Sequence, residues 1–111
     1  MAWLGYSYFV ELLTSLGVDA SVIADFCARR QIVRMEIFGS AARGELRAES
    51  DVDIMLTFQP SAPWSLYDIV DMQDELARLF GRAVDIVESG SVRNPYRARS
   101  IEHDLQVVYA A

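Results

Sequence analysis

The chain contains no lysine; all ten of its basic residues are arginines. That absence excludes mechanisms built on a lysine: a phosphate-loop lysine, a Schiff base, or the lysine of a phospho-acceptor receiver domain. One cysteine, Cys27, and one histidine, His103, are too few to assemble a zinc site. Cys27 lies in the apolar-periodic stretch Val22-Ile23-Ala24-Asp25-Phe26-Cys27 and reads as a buried thiol rather than a nucleophile. No apolar run approaches the ~20 residues that span a bilayer, and the N-terminus lacks the positive and continuous apolar regions of a secretory signal. A soluble, cytoplasmic protein with no membrane partner is expected. With a formal net charge of −6, the chain is also a poor non-specific nucleic-acid binder.

Its 111 residues suit one domain with a single modest core, divided into N-terminal helices over 1–30 and a catalytic core over 31–111. No separate substrate-binding domain is expected. Hydrophobic residues make up 52% of the sequence, a surplus that either a well-filled core or a homo- or hetero-oligomeric surface would absorb.

Apolar spacing predicts a helix from Tyr6 to Leu16, with Phe9, Val10, Leu12, Leu13 and Leu16 on one face and Gly17 as its stop. Trp3, Tyr6 and Tyr8 exceed what that stripe needs and suit either core or a partner surface. Asp19 or Ser21 caps a second helix over about 20–30, burying Val22, Ile23, Phe26 and Cys27. Strand one follows at about 33–38, then a Gly39-Ser40 turn into a short helix over 41–45. Strand two, ending near Phe58, runs back antiparallel. Ser65 caps a longer helix over about 66–80, with Ile69, Val70, Met72, Leu76, Leu79 and Phe80 inward. Strand three is 83–87, a helix starts at Pro95, and Leu105 to Tyr109 forms a last strand or extended end.

Two features carry chemistry. Val52, Ile54 and Leu56 alternate with Asp51, Asp53 and Met55, the period of a strand with one buried face, so Asp51 and Asp53 point the same way roughly 6.5–7 Å apart. Two carboxylates held like that repel unless a cation lies between them. The Gly39-Ser40 turn presents free backbone N–H groups of the kind that bind phosphate.

Gly39-Ser40 with Ala42-Arg43-Gly44, Ser50-Asp51-Val52-Asp53, and Asp85 in Ala83-Val84-Asp85-Ile86-Val87 together resemble the signature of the minimal nucleotidyltransferases of the DNA polymerase β-like superfamily. The resemblance runs from about Val22 to Tyr109. It implies an α+β fold, a small mixed sheet with helices packed largely on one face. It further implies that Asp51, Asp53 and Asp85 are catalytic and hold two Mg²⁺ ions, with ATP as substrate. Gly39, Ser40, Arg43 and Ser50 would bind the nucleotide. Arg93, Arg97 and Arg99 form either a solvated face or a grip on nucleotide or partner. The resemblance implies a cognate HEPN-type toxin as partner and an antitoxin role exercised by moving AMP onto a toxin tyrosine. A catalytically silent antitoxin acting by steric contact, or a nucleotide-sensing module, stands as the alternative.

Overall fold

The computed structural model describes residues 6–111, with side chains from Glu11 onward. Trp3 lies outside the described residues, as do the side chains of Tyr6, Tyr8, Phe9 and Val10. The elements run α1 (Tyr6–Ser15), α2 (Ala20–Arg29), β1 (Ile32–Phe38), α3 (Gly39–Ala42), β2 (Val52–Phe58), α4 (Leu66–Phe80), β3 (Val84–Glu88), α5 (Pro95–Asp104) and β4 (Gln106–Ala110). The sheet order is β3-β2-β1-β4. β1 is antiparallel to both β2 and β4, whereas β2 and β3 are parallel, so α4 is the crossover that parallel pairing demands.

Local chemistry sets the helix limits. The Asp19 side chain accepts the Ser21 N–H at the start of α2. Ser65 and Asp68 form a reciprocal capping box on α4, which Gly81 ends in the left-handed conformation. The Asn94 side chain accepts two N–H groups ahead of Pro95 at the start of α5.

Val52, Ile54 and Leu56 are fully buried, packed with Leu13, Ile23, Phe26, Met72 and Leu76 from α1, α2 and α4. Each such side chain contributes about 1.5–3 kcal/mol by leaving water. On the opposite face Phe38, Val87 and Ile101 form a smaller cluster with Met55, Val92 and Leu105, under α5. Three helices thus take one face and α5 alone the other, where Asp53 and Asp85 also lie.

The expected core residues Val22 and Val70 are 40% and 50% exposed instead. α2 buries Ile23, Phe26 and Cys27, and α4 buries Met72, Leu76 and Phe80 at four-residue spacing. At 3.6 residues per turn Val22 and Val70 fall off those stripes. Leu66 and Tyr67 also face outward at the start of α4, so part of the apolar surplus lies on the surface. The short helix expected over 41–45 starts at Gly39 and ends at Ala42, because Gly44 turns left-handed and Glu45 N–H closes onto Ser40 O. Cys27 is a buried free thiol whose pKa burial pushes up to about 12, so it offers no nucleophile. Among the described residues no helix is long and apolar enough to cross a membrane.

Candidate active site

The sheet register brings the acidic residues together. Asp53 pairs with Phe38 of β1 on one side and with Asp85 of β3 on the other. Asp51 stands one residue ahead of β2, on the same side of the strand as Asp53. The loop leading to it is pinned: Arg82 Nη1 donates to the carbonyls of Arg47 (2.8 Å) and Ser50 (3.1 Å), and Val52 N–H donates to Ala83 O (3.0 Å). Ser50 Oγ accepts the Arg47 N–H at 3.1 Å, so this hydroxyl closes the turn before Asp51.

Gly39 sits directly against this row. Its φ is +70°, and a Cβ built there would overlap Asp53 Oδ2. Only glycine combines that backbone with that contact. Ser40 lies inside α3 rather than at its cap; the cap is Phe38, with no side-chain hydrogen bond. The first N–H groups of α3 have no intrahelical acceptor and lie next to the carboxylates.

The electrostatics follow from this crowding. Partial burial, then the charges of Asp85 and Asp51, hold the Asp53 carboxyl above its ordinary value, while Arg97 and Arg43 pull it back. Of the three arginines of the 93–99 segment, Arg97 is thus the one whose charge acts on Asp53; Arg99 lies over the Tyr96 ring at 5.5 Å. Arg43 turns to Glu45 (2.6 Å) and Asp104 (2.5 Å), tying α3 to α5. Hydrogen bonds from His103 and Arg43 hold Asp104 below the usual carboxylate range. Among the described residues no three acids or other ligating side chains converge tightly enough to enclose an ion; the carboxylates form an open row. That row offers only hard oxygen donors, the set that suits Mg²⁺ completed by phosphate oxygens and water.

The sequence reading passed over Glu36. It is buried on β1 with 7% exposure, on the same face as Phe38, where its cross-strand neighbour is Met55. A charged residue inside the apolar run Met35-Glu36-Ile37-Phe38 was the signal for it.

The chain is similar to several known proteins. A family model described as a nucleotidyltransferase domain matches residues 8–108. A Methanocaldococcus jannaschii protein provisionally named a protein adenylyltransferase is 37% identical over 75 residues, 68% of this chain and 75% of its own length. A solved structure provisionally described as a minimal nucleotidyltransferase superposes with a TM-score of 0.68 at 31% identity, covering 85% of this chain and 93% of that one. A chain from the complex of a tri-AMPylated Shewanella oneidensis HEPN toxin with its MNT antitoxin shares the fold, with a TM-score of 0.59 at 14% identity over 83% of this chain and 70% of that one. Fold, carboxylate row and relatives converge: the chain belongs to the nucleotidyltransferase domain family, as one of its minimal nucleotidyltransferases.

Proposed function

We propose that this chain transfers AMP from ATP, with Mg²⁺, to a tyrosine hydroxyl of a cognate HEPN-type toxin and thereby acts as its antitoxin. The observation that carries this reading is the contact between Gly39 and Asp53, which sets backbone N–H groups beside three carboxylates. In the reaction the tyrosine hydroxyl gives up its proton to solvent, its oxygen bonds to the α-phosphorus, the bond from the α-phosphorus to the oxygen bridging it to the β-phosphate breaks, and pyrophosphate leaves. Asp51, Asp53 and Asp85 would hold two Mg²⁺ ions, which when bound supply charge neutralisation and a more acidic incoming hydroxyl.

The chain's own residues do the positioning. Gly39 leaves the triphosphate room to approach, and the N–H groups around Ser40 face its terminal phosphates. Arg97 and Arg43 add positive charge where the triphosphate gathers. Ser50 serves by shaping the loop that presents Asp51. The AMPylated toxin in the Shewanella complex and the adenylyltransferase names of the relatives support AMP as the transferred group.

Titration calorimetry should detect ATP binding with Mg²⁺ or Mn²⁺ and none in chelator, because triphosphate and carboxylates repel without a cation. Equal affinity in chelator removes the metal-dependent reading. Co-expression with a HEPN-type toxin, followed by intact-mass measurement and peptide mapping of the toxin, should show added AMP units on tyrosine. A toxin that is neutralised yet never modified favours the steric antitoxin instead.

A further inference from the structure

Asp51 is the one carboxylate of the row that lies outside a strand: it stands ahead of β2, at the end of an exposed loop that begins after α3. Hydrogen bonds nevertheless fix the backbone on both sides of it. The peptide before it is anchored through Ser50 O, which accepts from Arg82 Nη1 at 3.1 Å, and the peptide after it through Val52 N–H, which donates to Ala83 O at 3.0 Å. The orientations of those two peptides set φ and ψ of Asp51, and so the direction of its Cβ. Both anchors come from adjacent residues of the segment that leads into β3, where Asp85 lies.

Arg82 is itself preset. Gly81 ends α4 at φ +69°, and the Arg82 N–H then closes onto Ala77 O at 3.2 Å. From there Nη1 crosses to the loop and donates to Arg47 O at 2.8 Å as well as to Ser50 O. Among the described residues these two are the only hydrogen bonds that tie residues 46–51 to the rest of the chain. Otherwise the turn closes on itself, Ser50 N–H to Arg47 O and Arg47 N–H to Ser50 Oγ. A guanidinium is always charged, and in a chain with 16 acidic residues this one spends its donors on backbone carbonyls.

We infer that Arg82 is a positioning residue for metal binding: its clamp on the 47–50 turn holds Asp51 beside Asp53 and Asp85, so that the carboxylates are arranged before a cation arrives. The inference rests on the proposed reading of the row as a Mg²⁺ site. Arg82 acts through the backbone. Its charge works the other way, since a nearby cation repels a metal ion. The two effects therefore give opposite results when the guanidinium is removed.

Mn²⁺ alone, titrated into the full chain and read by its paramagnetic resonance signal, separates them. Arg82→Gln should bind Mn²⁺ about ten- to a hundredfold more weakly than wild type, the usual loss when a group that orients a metal ligand is removed. Arg82→Lys keeps the charge and can offer one nitrogen to both carbonyls, as Nη1 does, so it should recover most of that affinity. AMP transfer to a co-expressed toxin should follow the same order. Exchange of the Ser50 amide proton, followed by NMR in chelator, should be slow in wild type and fast in Arg82→Gln; the wild-type arm decides the matter even if the variant misfolds. Equal or tighter Mn²⁺ binding in Arg82→Gln, no recovery in Arg82→Lys, or a wild-type Ser50 amide that exchanges like an unstructured one overturns the inference and leaves the AMP-transfer reading standing. So does a wild type that modifies the toxin yet binds no Mn²⁺ alone. A wild type that neither binds Mn²⁺ nor modifies the toxin overturns both.

Discussion

Asp53→Asn is expected to leave the chain folded and to lower AMP transfer on the order of a thousandfold or more, by removing a ligand placed between the other two carboxylates. The fold should survive because Asp53 is repelled rather than held: partial burial, Asp85 and Asp51 all disfavour its ionised form. Its folded pKa lies above the unfolded one, so the ionised side chain opposes folding. That penalty is absent below the ordinary aspartate range and is fully present once the pH has risen through the raised folded value. In chelator at neutral pH, Asp53→Asn should therefore melt at a higher temperature than wild type, and the two curves should meet in acid. Intact-mass assays of the co-expressed toxin give the activity arm, and thermal scans across pH give the other. A variant that melts lower than wild type at neutral pH would show that the carboxylate is held by structural bonds instead.

The strands were legible because their signals are local. Alternation in Val52 to Leu56 fixes which face is buried, and both aspartates follow from it. Capping at Asp19 and Ser65 is likewise written within three residues of each helix start. The pairing of Asp53 with Asp85 was not legible in this way; it depends on the parallel register of two strands separated by α4, and the family resemblance alone linked them. Val70 misled because one apolar stripe was drawn too wide, whereas α4 needs only Met72, Leu76 and Phe80 to fill its seat. Arg43 offered a charge beside a phosphate turn, yet which carboxylate it meets depends on α5, sixty-one residues later at Asp104. Glu36 showed in the sequence as a charge within an apolar run, but not which way it points. A strand covered on both faces has no polar side to betray which charge is buried.

Gly39→Ala is expected to cost about 1–3 kcal/mol of stability from left-handed backbone strain, and it should damage activity further still. Its φ of +70° resembles the +71° of Gly44, but the two positions differ in what a Cβ would meet. At Gly44 nothing lies within 4 Å, so Gly44→Ala pays for backbone strain alone. At Gly39 the new Cβ overlaps the Asp53 carboxylate, which must swing away from Asp51 and Asp85. A displacement of about 1 Å in a reacting group lowers rates on the order of a hundredfold, so Gly39→Ala should lose AMP transfer on that scale while Gly44→Ala loses little. Urea unfolding of Gly39→Ala, Asp53→Ala and the double variant separates the two contributions. Removing the Asp53 side chain erases the overlap and leaves the backbone strain, so the two changes should be non-additive by about 0.5–3 kcal/mol. Strict additivity, or equal losses in Gly39→Ala and Gly44→Ala, would mean that Asp53 does not rest against Gly39 in solution. The open approach to the carboxylate row would then have to be traced to some other part of the sheet edge.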